Sequence, residues 1–450
     1  MKPFWLNSVF PIAALFSFRM LGLFMLMPVF TIYAHELTQS TPTLIGVALG
    51  SYGLSQGLLQ IPFGMLSDRF GRKPIITLGF ILFMGGSLLG ALTTSIYGMI
   101  LARTLQGTGA VGSVLIALLA DLTPDQQRTK AMAVIGLSIG LSFSLGMILS
   151  PAITEHFGLA GVFYFTTFLA ASGLLLLHAV IPTPKKERFS PDAQANPALF
   201  KQVLGNRHLQ RLNIGIFCQH FILTSTFFHL PIILQQQIKW GHVSQQWHFY
   251  LPLMLLSFLM MIPFLTLAEK KRQIKAVFLS AVIITGLCQF ILAMTYQSWW
   301  ALCALLLIYF VAFNFLEASL PSLISRQSSR NSKGTAMGIY SSSQFLSMFA
   351  GGASAGVIYQ LSGHQGIFIV NGIISLLWLT FAINMKPDVY QLTLTLHYDP
   401  LKHDDTLLTK QLSALPGVEK VFIAPEEKTV YLFIDKAKYQ EGSADKVFVL

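Results

Sequence analysis

Charge is scarce in this chain of 450 residues. Only 11% of them are Asp, Glu, Lys or Arg, where a soluble protein carries roughly 25%. The deficit lies in residues 1–387 and excludes an ordinary water-facing surface there; the tail beyond has normal polarity. Acid is scarcest of all. Residues 1–182 hold only Glu36, Asp68, Asp121, Asp125 and Glu155, none inside an apolar run. Cysteine is nearly absent. Cys218, Cys288 and Cys303 lie within apolar segments without metal spacing, so neither a disulfide framework nor a thiolate metal site is implied. No Walker-type phosphate loop occurs, which excludes ATP as the fuel. The first apolar run lacks a small-residue cleavage site after it and reads as a retained helix. The net charge of +11 invites a nucleic-acid reading, but the cations sit in short loops between apolar runs, and no nucleic-acid partner is expected.

What is present is long apolar sequence. Runs recur at 8–33, 44–63, 74–94, 97–120, 131–152 and 161–181, then at 212–234, 248–267, 275–295, 298–321, 335–358 and 366–385. Each reaches the roughly 20 residues a helix needs to cross a bilayer. The loops of one parity, with both flanks, hold 20 of the 30 basic residues, and the loops of the other parity hold only Lys239. That bias predicts cytoplasmic termini. Ile61-Pro62-Phe63 with Asp68 repeats as Ile262-Pro263-Phe264 with Glu269, and Ala131-Met132 repeats as Ala336-Met337, at offsets of 201 and 205. The near-equal offsets predict a duplication into two parallel six-helix halves. The expected domains are residues 1–182, a charged Pro-rich linker 183–211, residues 212–387, and a tail from 388 to 450.

The tail changes texture. Leu392, Leu394 and Leu396 alternate with polar residues as in a half-buried strand. Asp404-Asp405 precedes Leu407, Leu408, Leu412 and Leu415, a capped amphipathic helix. Strands are predicted at 418–424 and 428–434, with a weak last one at 447–450. The β-α-β-β order predicts a small α+β, ferredoxin-like domain. It lacks cysteine; His397, Asp399, His403 and Asp404 offer only hard ligands, and regulation or docking of a cytoplasmic ligand or partner is the preferred reading over metal binding.

The segment from Gly64 to Lys73, Gly-Met-Leu-Ser-Asp-Arg-Phe-Gly-Arg-Lys, puts Asp68, Arg69, Arg72 and Lys73 between two apolar runs, so it must meet water. With Gly71 it resembles the signature loop of the major facilitator superfamily of transporters. Arg103-Thr104-Leu105-Gln106-Gly107-Thr108-Gly109 matches a second motif of that family. Gly136 to Pro151 is similar to its antiporter motif but departs from it, with Ser150 before Pro151 and no trailing glycine pair. The resemblance covers residues 1–387. It implies an all-α polytopic membrane protein of twelve helices in two pseudo-symmetric halves. It also implies that Asp68 faces the N-terminus of segment eleven near Gly334-Thr335, that Arg72 pairs with Asp121, and that this latch favours an outward-open state. An ordinary basic loop that only sets orientation is the rival. Arg103 would act in proton coupling, although the first half has no carboxylate inside its spans for it to tune.

Candidate pathway residues come next. Arg19 lies about 16 Å into segment one at the helical rise, too deep without water or a partner. It would hold an anionic group or a counter-carboxylate; a structural pair or a snorkelling side chain is the alternative. Glu317 is the only acid well inside an apolar run, about 6 Å from its cytoplasmic end at the same rise, with Asn314 on nearly the same face. Desolvation favours the protonated form of a carboxyl, so proton-carrier and structural readings both stand. His220 is in the titratable range of histidine, with a satisfied core histidine as the rival; His178 and His229 are weaker candidates. Tyr52, Gln56 and Gln60 share one helical face, as do Tyr340, Gln344 and Ser347. Such stripes line a cavity or bond helix to helix. Gly-x-Ser-x-Gly occurs three times, each within an apolar run rather than at the strand-to-helix turn a nucleophile elbow needs, so no enzyme is expected.

The whole predicts a secondary active transporter of the inner membrane, working by alternating access, with proton-coupled efflux of a small amphipathic molecule as the leading mode. Uniport or symport, or a membrane receptor signalling through the tail, are the alternatives. No cofactor is implied.

Overall fold

The structure, a computed structural model, describes residues 5–123, 125–183, 199–270, 273–328, 332–385, 391–398, 405–424, 429–435, 439–440, 442–444 and 447. Most of the expected linker and the end of the expected last strand lie outside the described residues, as do Asp399, His403 and Asp404. The chain divides into two compact units, Met1–Thr266 with Ala276–Met385, and Leu267–Lys275 with Lys386–Leu450.

The first unit is helical. Its elements are α1 (Phe10–Phe24), α2 (Phe30–Tyr33), α3 (Pro42–Phe70), α4 (Arg72–Leu92), α5 (Ile96–Thr108), α6 (Gly112–Leu122), α7 (Asp125–Ala179), α8 (Phe200–Gly205), α9 (Arg207–Lys239), α10 (Gln246–Lys270), α11 (Ile274–Thr295), α12 (Trp299–Gln327) and α13 (Lys333–Ala382). Local chemistry sets several starts. Thr41 accepts from the Leu44 N–H at 3.2 Å ahead of Pro42, an N-cap followed by proline at the first helical position. Asn206 accepts from the N–H groups of His208 and Leu209 to start α9. Among the described residues nine helices are long and apolar enough to cross a membrane. Large apolar side chains such as Leu58, Leu101, Phe168, Leu175 and Leu259 remain exposed on them, as a lipid-facing surface requires.

Two of the nine fold back on themselves. α7 turns at Gly158 (φ 61°, ψ −167°) and α13 at Gly363 (φ 62°, ψ −155°). That backbone region is essentially closed to residues with a Cβ. The two glycines are 205 residues apart, the offset already seen between Ala131-Met132 and Ala336-Met337. The duplication is therefore visible in backbone conformation as well as in sequence.

Several boundaries differ from the sequence reading. Segment one is interrupted between α1 and α2, where Pro28 has no N–H to continue the ladder. Segment four breaks between α5 and α6; there a Cβ on Gly109 would lie 2.3 Å from the Gly79 carbonyl oxygen, so the close helix approach requires glycine. The 64–73 segment is not a loop. α3 runs through Phe70 and α4 starts at Arg72, so only Gly71, at φ 94°, separates them. α12 continues to Gln327, which puts Glu317 about 15 Å from its end at the helical rise rather than near it.

In the second unit, β1 (Gln391–His397), α14 (Asp405–Ser413), β2 (Val418–Ala424) and β3 (Thr429–Asp435) follow in that order. The strands form an antiparallel sheet ordered β1-β3-β2. Val430, Leu432 and Ile434 of β3 are buried with Leu408 and Leu412 of α14, one apolar sheet face covered by one apolar helix stripe.

Candidate functional site

The first half gathers its polar residues around two buried cations. Arg19, 1% exposed, donates from Nη2 to the Tyr52 hydroxyl at 3.2 Å and to Gln56 Oε1. Gln56 Nε2 donates onward to Gln60 Oε1 at 2.7 Å. Arg103 lies over the Tyr52 ring, 5.0 Å from its centroid, and donates to Gln106 Oε1 at 2.7 Å; Gln106 in turn donates to Ser87 at 2.8 Å. The stripe Tyr52-Gln56-Gln60 on α3 therefore receives α1 through Arg19 and α5 through Arg103. Snorkelling is overturned for Arg19, because its charged end is buried among these groups. Among the described residues no carboxylate bonds to either arginine.

The second half is built around an acid. Glu317 on α12 accepts from Gln219 Nε2 at 3.0 Å and from Gln344 Nε2 at 3.2 Å. His220 Nε2 lies 2.9 Å from Gln344 Nε2 and 3.7 Å from Glu317 Oε2. The Glu317 side chain is 37% exposed while that of His220 is 6% exposed, so the carboxylate sits partly accessible at the edge of a buried network. His220 is buried and bonded to Gln344 beside the Glu317 carboxylate. Tyr340, a turn before Gln344 on α13, is also buried. Asn314 does not join this group; it donates to Ser257 of α10 at 3.1 Å. Gln219, Ser87 and Ser257 are hydrogen-bonding neighbours that titratability and motif spacing passed over. The available signal was their polarity within apolar runs. His178 pairs with Thr77 at 2.9 Å near the surface, and His229 with the Ser225 carbonyl at 2.9 Å.

Around Gly71, Arg72 is buried and donates to Asp121 Oδ2 at 3.1 Å, to Ser67 Oγ at 2.6 Å and to Asp68. The Arg72–Asp121 side chains are each 1% exposed. Lys73 and Arg69 stay toward the surface, with Arg69 5.4 Å from the Phe70 ring centroid. Gly64 faces Ser113. The bond expected between Asp68 and the start of segment eleven is absent among the described residues; Asp68 bonds Arg72 instead.

The halves touch along α3 and α13. A Cβ on Gly46 would lie 2.3 Å from the Gly352 carbonyl oxygen, and one on Gly53 2.4 Å from that of Phe345. Thr43 donates to Gln360 at 2.9 Å, and Gln245 donates to Glu155 at 2.7 Å. Both hydrogen bonds lie at the end of the bundle away from Gly71. Phe143 bridges mid-bundle to Phe227 and Phe313, with ring centroids 6.3 Å apart in each case. These contacts hold the halves together at the end away from Gly71 and at mid-bundle.

Paired helical halves and a polar interior split between cations and an acid fit a membrane transporter rather than an enzyme. The model of the Major Facilitator Superfamily matches residues 12–352 and 274–393, and the chain belongs to that family. It is similar to the inner membrane transport protein YajR of Escherichia coli (strain K12), 40% identical over 436 residues, covering 97% of this chain and 95% of that one. An uncharacterized transporter of Buchnera aphidicola subsp. Acyrthosiphon pisum (strain APS) is 35% identical over 340 residues, 75% of this chain and 86% of that one. Among solved structures, a bacterial homolog of the human lysosomal transporter Spinster superposes with a TM-score of 0.65 over 85% of this chain and 97% of that one, at 15% identity. That likeness shows the fold.

Proposed function

We propose that this multi-pass membrane transporter is a secondary active exporter that exchanges a small amphipathic molecule for protons across the inner membrane, with both termini in the cytoplasm. The observation that carries this is Glu317. It is an acid inside a membrane helix, held by two amide donors and facing His220, yet open to solvent on one side. A group in that position can gain and lose a proton as access alternates. Arg19, Tyr52, Gln56 and Gln60 form the facing substrate wall in the other half, with Arg103 and Gln106 behind them.

In this reading the Gly46–Gly352 contact closes the outward side. Asp68, Arg72 and Asp121 then form the inner latch, engaged across the halves only when that contact opens. The tail unit favours a second reading, a receptor whose transporter body senses a ligand, since a separate ferredoxin-like module with a cytoplasmic partner would suit signalling. Reconstitution into proteoliposomes loaded with a pH-sensitive dye separates the two. Ligand-dependent pH change supports exchange. Binding without flux supports sensing.

A further inference from the structure

The interruption of segment four places a helix start inside the bundle. α6 begins at Gly112 after the break at Gly109–Val111, its N-cap is Val111, no side chain caps it, and its first turn contains no acid. The leading amides of a helix have no partner within it and carry the positive end of its dipole. Two side-chain donors converge on that start. A Cβ built on Gly112 would lie 3.2 Å from Gln60 Nε2 and 3.5 Å from Arg19 Nη1.

Arg19 is the independent sign of a ligand. It is 1% exposed, its bonds to Tyr52 and Gln56 both come from Nη2, and its Nη1 and Nε atoms have no hydrogen-bond partner. Gln60 accepts from Gln56 at Oε1, and its amide end lies beside Gly112, with Nε2 nearer (3.2 Å from that Cβ position) than Oε1 (3.7 Å). Arg103 differs, because its Nη1 is bonded to Gln106 and its plane lies on Tyr52. No acidic residue lies inside the apolar runs of this half to answer the Arg19 charge. An unpartnered guanidinium nitrogen and an amide group beside a helix start match an anion, as interrupted membrane helices do when their half-helix starts face anionic groups.

We propose that the break in segment four is an anion-binding site, formed by Arg19, Gln60 and the first amides of α6, which takes the carboxylate of the transported molecule. This deepens the transporter reading and rests on it for the word transported. The amphipathic substrate is then an organic acid, its carboxylate at Gly112 and its apolar body toward Tyr52. A small inorganic anion shares the chemistry and is the other source to be separated.

The test uses the full chain in detergent and low-salt HEPES, followed by thermal unfolding. Benzoate is the probe, benzamide its neutral isostere and chloride the inorganic competitor. Benzoate is expected to raise the midpoint saturably, and benzamide is not. Arg19→Gln is expected to abolish the shift. Gly112→Ala keeps every charge, favours the helix and places a methyl group among the donors; it is expected to weaken benzoate at least tenfold. Absence of any shift, or a shift that survives both substitutions, overturns the site. A chloride response equal to that of benzoate and lost in Arg19→Gln overturns the carboxylate assignment. Flux is scored separately in vesicles, so retained benzoate binding without exchange counts against the proposed function and for the site.

Discussion

Tyr52 stands between two buried arginines: its hydroxyl is 3.2 Å from Arg19 Nη2, and its ring centroid is 5.0 Å from the Arg103 guanidinium carbon. One side chain thus couples α1 to α5 through α3. Tyr52→Phe keeps the ring and removes the hydroxyl. It is expected to lower stability by about 1.5–3 kcal/mol, the range for a hydrogen bond to a charged group. Thermal unfolding of the purified variant checks this, and Tyr52→Ala should lose more because the cation–π contact goes too.

Glu317→Gln preserves the shape of the side chain and removes the ionisable group. Exchange-driven pH change in proteoliposomes should disappear while expression and unfolding midpoint stay close to the parent. Undiminished pH coupling would remove Glu317 as the proton carrier.

At the far end, Gly46 is separated from the Gly352 carbonyl by less than a Cβ requires. Backbone cannot yield as a flexible side chain does, so Gly46→Leu should force the halves apart there. Cysteines at positions 43 and 360, whose native side chains are hydrogen-bonded, report the outcome. They should cross-link readily in the parent background and lose most of that reactivity with Gly46→Leu. Equal cross-linking in both would refute closure by this contact.

Arg72 and Asp121 are an ion pair with both side chains 1% exposed. Breaking a buried pair costs up to about 3–5 kcal/mol, and less for Asp121→Asn, which leaves Arg72 its bond to Asp68. Arg72→Met and Asp121→Asn should each lower the unfolding midpoint sharply, while the double variant recovers part of the loss. A double variant with a strictly additive loss would show that the two do not act as a pair.

Gly158→Ala and Gly363→Ala should each cost about 1–3 kcal/mol, the range for a residue forced into a sparsely populated backbone region. The two turns lie in different halves and share no neighbours, so the losses should add. Unfolding of the single and double variants tests both statements.

Much of this could be read along the chain. The twelve apolar runs needed only local hydropathy, and the Arg72–Asp121 pair followed from motif resemblance. Helix breaks were harder. Pro28 was visible, but the Gly109 break depends on Gly79 of a neighbouring helix, and nothing local distinguishes it from other glycines. The Tyr52-Gln56-Gln60 stripe was legible by period, whereas its partners Arg19 and Arg103 were legible only as costly residues. Asp68 was placed by resemblance against segment eleven, whereas among the described residues it bonds Arg72, four positions further along the chain.

The sequence by itself determined that the chain crosses a bilayer repeatedly, that its halves are related, and that one half is rich in buried cation while the other holds the acid. Those are one-dimensional consequences of solvation: apolar runs leave water, and charges inside them are few enough to count. Tertiary structure alone decided where α3 of one half meets α13 of the other, which nitrogen atoms of Arg19 are occupied, and that Gly112 opens a helix beside them. Such facts depend on contacts between helices far apart in the chain, where tenths of an ångström between backbone atoms decide whether two surfaces can meet.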